Sequence, residues 1–478
     1  MNDLELRKMN RIRPIPWSDI VPCPKCRVGI CTVSEYYGAW KSTCQGEAMT
    51  NEYFKVVAEC GCDLSEGQYN KAWQLASQKD PNMNIFNEEG FTAPALLWLP
   101  ISEVEPGALD QIRDVSRLPI LASSLRVMPD CHKGMGVTIG SVLETQSAVI
   151  PNAVGVDIGC GVMAINTGVI LTPEMDKTFW RSWAGKVSRD VPVGFHWHTE
   201  QQEWHGFNDT LACGELEIMK TGRHKQQIGT LGGGNHFLEA LVDDATNEIW
   251  VMVHSGSRRI GMDIANYYHE LAVAQTKTHT DVPDNREKQG LCYLHFDLDE
   301  QARNYLHDMK WAKDYAHESR VRMGVHMLNA LGWQESESVV HVVHCCHNYA
   351  ELSKANGTVL HRKGATNAAL NYLGVIPGSM GTPSYIVKGL GNPDSLNSCS
   401  HGAGRAMSRN RARKEISEAA LAASMAGTYT SPSTKFTDEG PAAYKDIETV
   451  MSRQTDLVDV VTTLRPLITI KGGGKDEG

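Results

Sequence analysis

Three stretches of the chain share one pattern, a run of β-branched and apolar residues that ends in polar side chains able to bind a metal or move a proton. They read "SAVIPNAVGVDIGCGVMAI" (147–165), "EIWVMVHSGSRRIG" (248–261) and "SVVHVVHCCHNYAE" (338–351). Short apolar runs of this kind predict buried strands, and polar residues at strand ends are held by a rigid sheet while facing a cleft. Between the second and third runs, residues Glu300 to Met323 contain neither Gly nor Pro and predict one long helix. A further helix is predicted in "GAGRAMSRNRARKEISEAALAASMAG" (402–427), with Arg405 and Arg409 on one face at i, i+4. Strands and helices do not alternate regularly and no internal repeat is present, so the expected fold is α+β: mixed β-sheets with surrounding helices.

The first 85 residues read differently. They hold "CPKC" (Cys23, Cys26), Cys31, Cys44 and "CGC" (Cys60, Cys62), six of the 13 cysteines in the chain. Cys23, Cys26, Cys60 and Cys62 form a candidate zinc-ribbon-like Zn²⁺ site, although the second pair has one intervening residue where two to four are usual; free thiols are the alternative. The stretch 77–90 is the expected boundary, giving a Cys-rich extension over 1–85 and a catalytic domain over 95–478.

Composition narrows the class. With 478 residues, 41% hydrophobic and 21% charged, the chain reads as globular, and it has no apolar run of membrane-spanning length and no secretory leader. The expected location is cytoplasmic, without membrane attachment, where clustered cysteines serve metals or catalysis rather than disulfides. A net charge of −10 argues against a general nucleic-acid coat. Any such contact must come from a local patch such as Arg405, Arg409, Arg411, Arg413 and Lys414.

Candidate chemistry gathers at the strand ends. Asp157 and Cys160 lie in "GVDIGCG", His236 in "GGGNHFLE", His254 in "WVMVHSGSR" and His347 in "VVHCCHNYAE". One such histidine alone is more often a hydrogen-bonded core residue, but four contexts together point to a metal site. A carboxylate, a thiolate and imidazoles suit Mn²⁺, Zn²⁺ or Fe²⁺ better than Mg²⁺, and spacing leaves one ion or two open. His401, in "SCSHGAGRAMSR", has no predicted strand before it and stands ahead of the predicted basic helix. Glycines, a helix N-terminus and arginines make an anion cradle in which the imidazole can attack phosphorus; a helix-start histidine with local hydrogen bonds is the alternative. The glycine-rich stretches 230–239 and 376–385 are candidate phosphate loops, though neither ends as a P-loop does. Arg258, Arg259, Arg362 and Lys363 supply further cations, at least one of them expected to be a solvated surface charge.

At these residues the chain resembles the RtcB family of GTP-dependent RNA ligases. Nine stretches match in order: "MPDCHKGMGVTIGSV", "GVDIGCG", "GGGNHFLE", "HSGSRRIG", "HNYAE", "HRKGATNA", "PGSMGTPSYIV", "HGAGRAMSR" and "ITIKG", spanning about residue 95 to the C-terminus. The resemblance implies an enzyme that joins RNA ending in a 3′-phosphate or 2′,3′-cyclic phosphate to RNA with a 5′-hydroxyl, in tRNA splicing or RNA repair, with His401 guanylylated by GTP. It implies two Mn²⁺ ions, one held by Asp157, Cys160 and His236 and the other by Cys160, His254 and His347. GTP contacts are expected from Asn235, His236, Phe237, Leu238 and Glu239, from His347 and Asn348, and from Pro377, Gly378, Ser379, Met380 and Ser384. His401, Gly402, Ala403 and Gly404, Tyr444 on the guanine and Lys471 complete that set. RNA phosphates fall to Arg258, Lys363, Arg405 and Arg409, and an archease-type activator fits as a protein partner. Two departures stand out: the Cys-rich extension lies outside the family core, and Cys131, Lys133 and Met135 occupy variable places in "DCHKGMG". A metal-dependent phosphohydrolase or end-processing enzyme of the same fold is the alternative activity, and would not need His401, Glu239 or Lys471. A non-catalytic RNA-end binder is the weaker one, since no ligand or nucleophile is missing.

Overall fold

The computed structural model describes residues 82–478 apart from 220–221, 279–285, 334–340, 354–355, 431–433 and 473–478, together with strand backbones between residues 21 and 57. Those strands (Val21–Pro22, Ile30–Tyr36, Ala39–Cys44, Glu47–Glu52, Lys55–Val57) pair antiparallel in chain order. Cys23, Cys26, Cys60 and Cys62, the candidate zinc ligands, lie outside the described residues.

Two sheets build the main body. A seven-stranded antiparallel sheet runs in the order His341–Cys346, Gly161–Ile170, Glu248–Ser255, Phe237–Asp243, Val458–Ile470, Ser384–Gly389, Leu373–Ile376. A six-stranded sheet runs Asn348–Leu352, Thr358–Lys363, Ile139–Gln146, Leu125–His132, Ala95–Leu97, Asn84–Phe86. This last strand pairs with Ala95–Leu97 and buries Phe86, so the stretch 77–90 is already sheet before its end. The two sheets are joined at one residue. His347 stands between the strand that ends at Cys346 and the strand that starts at Asn348.

Both faces of the central strands are covered, which is why they read as unbroken apolar runs rather than alternations. Val251 and Val253 pack with Trp180, Trp183 and Met327 on one side, while Trp250 and Met252 pack with Val343 and Ile386 on the other. Burying each such aliphatic side chain contributes roughly 1.5–3 kcal/mol. Helix Lys177–Asp190 supplies that first cover through Trp180, Trp183 and Val187, at the i, i+3, i+7 spacing of one face. Its start is set by Asp176, whose carboxylate accepts from the Thr178 and Phe179 amides.

The long helix extends from Gln301 to Leu331, eight residues past the predicted end. Gly324 does not stop it; a Cβ there would lie 2.6 Å from Met163 Cε, so the glycine lets the helix lie close on the Gly161–Ile170 strand. The stop comes at Gly332, which takes the left-handed conformation (φ 91°) suited to glycine. The helix predicted over 402–427 is broken into Arg409–Glu415 and Glu418–Ser424, each N-capped by a serine, Ser408 and Ser417. Residues 402–407 are loop, and Arg405 and Arg409 therefore do not share a helix face.

Candidate active site

Register explains why residues far apart in sequence meet. In the seven-stranded sheet, His254 is opposite Val162 on one side and Phe237 on the other, and Gly161 is opposite Cys346. Cys160, His236 and His347 each stand one residue beyond a strand end in this row, so all four side chains arrive at one edge of the sheet. A slip of one residue in any pairing would turn a ligand to the opposite face.

There, Cys160 Sγ lies 3.4 Å from His236 Nε2 and 3.3 Å from His254 Nε2. His254 Nε2 and His347 Nε2 are 3.4 Å apart, and His236 Nε2 is 2.9 Å from Asp157 Oδ2. Two triads result, Asp157–Cys160–His236 and Cys160–His254–His347, each with its donor atoms within 4.8 Å of one another and with Cys160 common to both. Three imidazole Nε2 atoms gathered around one sulfur form a donor set suited to a divalent cation. Burial holds His254 and His347 well below the ordinary imidazole range, which keeps them in the neutral, ligating form. Burial, with Asp157 beside it, pushes the Cys160 thiol well up, so the thiolate forms there when a cation replaces its proton.

His401 follows the short strand Ser398–Ser400, which pairs with Ala365–Asn367, so a strand does precede it and the helix N-terminus expected behind it is eight residues further on. What positions the ring is Asp130, at the end of strand Leu125–His132. Its Oδ2 accepts from His401 Nδ1 at 2.6 Å and from the His401 amide at 3.0 Å. Burial opposes ionisation of Asp130, but His401, with His132 and Lys445 nearby, holds the carboxyl below its usual range. A carboxylate only accepts, so Nδ1 carries a proton, and in the neutral ring Nε2 holds the lone pair. Gly404 closes the turn at φ 72°, where a Cβ would sit 2.1 Å from the Asp130 carbonyl oxygen. The His401 ring stands edge-on to His347 with centroids 4.7 Å apart, beside the donor set.

Both features open into a cavity of ≈ 390 Å³. Of the residues expected at the nucleotide, Asn235, Phe237, Glu239, His347, Asn348, Pro377–Met380, Ser384, His401–Gly404, Tyr444 and Lys471 line it. Leu238 does not; its side chain is in the core between the flanking strands. Asp157, Cys160 and His254 also line the cavity, with His236 held behind through Asp157. Lys363, Arg405 and Arg409 reach it, whereas Arg258 is buried against the 230–236 loop and donates to Gly194 O and Thr230 Oγ1. Arg362 is also internal, bonded to the Tyr349 hydroxyl and Ser398 Oγ, and Arg259 is an exposed partner of Asp263.

One further residue, Glu439, gathers cations that line the cavity. The Glu439 carboxylate, 3% exposed, takes Lys471 Nζ at 2.7 Å, Arg409 at 2.6 Å, Arg405 at 3.2 Å and the Tyr444 hydroxyl at 2.6 Å. Neither Glu439 nor the role of Asp130 was legible from local pattern. The acid pair Asp438–Glu439 just before "GPAAYK" was the available signal, since a cluster of cations lining a cavity needs counter-charge. Glu239, also on the cavity wall, accepts from Thr469 Oγ1 at 2.6 Å; burial pushes its carboxyl up to about 7.

Comparison with known proteins now decides the family. A family model described as tRNA-splicing ligase RtcB matches residues 111–472. The chain belongs to the RtcB family. It is 34% identical over 417 residues to the RNA-splicing ligase RtcB of Escherichia coli K12, covering 80% of this chain and 98% of that protein. RtcB relatives from Aeropyrum pernix, a tRNA-splicing ligase by name, and Mycobacterium bovis, an RNA-splicing ligase by name, are 28% and 29% identical. They cover 84% and 76% of this chain and 98% and 100% of their own lengths. The α+β expectation and the family resemblance both hold. No helix among the described residues is long and apolar enough to cross a membrane.

Proposed function

We propose that this RtcB-family enzyme is an RNA ligase that joins a 3′-phosphate, or a 2′,3′-cyclic phosphate opened first by water, to a 5′-hydroxyl, using GTP and a guanylylated His401. The observation that carries the reading is the Asp130–His401 pair, which leaves Nε2 as the lone-pair nitrogen in a cavity shared with two metal-ligand triads. In the first step Nε2 bonds to the α-phosphorus of GTP, the α–β anhydride bond breaks and diphosphate leaves. An oxygen of the RNA 3′-phosphate then bonds to that phosphorus and returns the electron pair to Nε2. Finally the 5′-hydroxyl oxygen, losing its proton, attacks the 3′-phosphate and GMP departs. Asp130 keeps the ring oriented by accepting from Nδ1–H, which stays on the ring through the first two steps, and its carboxylate stabilises the positive charge the ring carries once Nε2 is bonded to phosphorus.

The donor set supports two Mn²⁺ ions, Asp157, Cys160 and His236 holding one and Cys160, His254 and His347 the other. Such ions supply charge neutralisation at the transferring phosphates. Lys363, Arg405 and Arg409 are the phosphate-facing cations on this reading, and Arg258 instead braces the loop that carries His236. Cys160 ligates only while reduced, which favours the cytoplasm. The family resemblance alone supports an archease-type activator.

The reading is tested with RNA fragments of defined ends. With GTP and Mn²⁺, a 3′-phosphate fragment and a 5′-hydroxyl fragment yield one longer product, and a 3′-hydroxyl with a 5′-phosphate yields none; the reverse preference would refute it.

Guanine recognition carries a pH dependence. Glu239 can accept from the guanine N1–H and N2–H groups only as a carboxylate, and its carboxyl is pushed up to about 7, so the proton must leave before guanine binds well. The KM for GTP in self-guanylylation is expected to rise as pH falls from 8 to 6, approaching about tenfold per pH unit at the acid end. Glu239→Gln should have a higher KM that no longer varies in this way; a KM that tracks pH identically in both proteins would remove Glu239 from the base contact.

A further inference from the structure

Behind the donor set lies a buried cation that none of the steps above uses. Arg320, on the Gln301–Leu331 helix, is 0% exposed. Its Nη1 donates to two backbone carbonyls, Gly159 O at 2.9 Å and Ser255 O at 2.6 Å. Gly159 immediately precedes Cys160, and Ser255 immediately follows His254. One guanidinium nitrogen therefore ties together the two backbone segments whose side chains meet at 3.3 Å, Cys160 Sγ to His254 Nε2. Its Nε donates to His344 Nε2 at 2.9 Å, and His344 lies three residues before His347.

The charge of this group is as informative as its bonds. The bonds of Arg320 among the described residues go to two carbonyls and a histidine and none to a carboxylate, and its Nη2 is buried with no hydrogen-bond partner. A fully buried guanidinium without a counter-ion is costly, by several kcal/mol in desolvation alone. Burial lowers its affinity for the proton, and the groups that oppose this are the thiols of Cys346, Cys160 and Cys345 and the Asp157 carboxylate. The helix lies close on this segment: at Gly159, φ 73°, a Cβ would lie 2.7 Å from Lys313 Cα.

We propose that Arg320 is the positioning residue of the two-metal centre, fixing the Cys160 and His254 backbones from behind and offsetting the negative charge of the shared Cys160 thiolate. The inference rests on the reading of the two triads as a metal centre. Because Cys160 belongs to both triads, displacement of its backbone weakens both sites together. Arg320 touches neither nucleotide nor RNA on this reading, so its loss acts through metal affinity.

The test is Mn²⁺ binding to the full-length chain, measured from the electron paramagnetic resonance signal of the free ion, with self-guanylylation followed separately at saturating Mn²⁺. Arg320→Met, checked for folding by circular dichroism, is expected to bind Mn²⁺ at least tenfold more weakly. Arg320→Lys keeps the charge but cannot span both carbonyls and His344, so it should fall between the two. Raising Mn²⁺ should recover much of the lost guanylylation in both variants, an effect that general loosening of the fold would not give. A folded Arg320→Met with wild-type affinity overturns the inference, and wild-type affinity in Arg320→Lys does so even if the Met variant fails to fold. If instead the wild type and Cys160→Ala bind Mn²⁺ equally, the metal-centre reading itself is at fault.

Discussion

His401→Ala retains no label from α-labelled GTP after denaturing electrophoresis, while the wild-type chain does. Nε2 is the reactive nitrogen on this reading because Nδ1–H is donated to Asp130 at 2.6 Å, and alanine removes the whole ring. Losing a covalent nucleophile outright lowers the rate by about 10⁴-fold or more. The variant should still fold, because the cavity walls are set by the two sheets and the side chain is partly exposed at the cavity. The adduct itself is a check on chemistry. A nitrogen–phosphorus bond releases the label in acid and keeps it in base, so label that is stable to acid, or that persists in the alanine variant, would move the nucleophile elsewhere.

Cys160→Ala is the second large effect, and its size comes from sharing. Asp157 and His236 on one side, and His254 and His347 on the other, each serve one triad, but the single sulfur serves both. Replacing it should take Mn²⁺ binding from two ions to no more than one weakly held ion and lower self-guanylylation by roughly 10³-fold or more, in line with loss of charge stabilisation at the transferring phosphate. Asp157→Ala should spare the second site and lose less. Stability of the metal-free protein should change by only about 1 kcal/mol, since a small buried group is removed and no paired charge is stranded. Stoichiometry by isothermal titration checks this; two tight ions in the alanine variant would exclude a bridging thiolate.

Much of this site was readable along the chain because its parts are local. Asp157 and Cys160, His254 and His347 each sit at the end of an apolar run, and that pattern survives folding because strand ends stay strand ends. The basic segment was misread for an equally local reason. Residues 402–427 have helical spacing, but Gly404 is pinned on the Asp130 carbonyl and Ser408 and Ser417 favour caps over helix interior, so the helix breaks in two and starts late. Arg405 and Arg409 still act together, through Glu439 rather than through a shared face. Arg258, which the family resemblance implies as an RNA-phosphate contact, is buried and turned to Gly194 and Thr230.

What the chain's order of residues determined by itself was the set of ligating types, their places at strand ends and the family likeness, all of which depend on spacing within a few residues. Only the tertiary structure decided that the Cys160 sulfur stands within reach of all three imidazoles, that Asp130 holds the His401 ring by its Nδ1, that Glu439 gathers cations of the cavity, and that Arg320 ties the Cys160 and His254 segments together. These are contacts between residues dozens to hundreds of positions apart. Charge pairing and hydrogen bonding depend on distances of a few ångströms, and register between strands, not sequence separation, sets those distances.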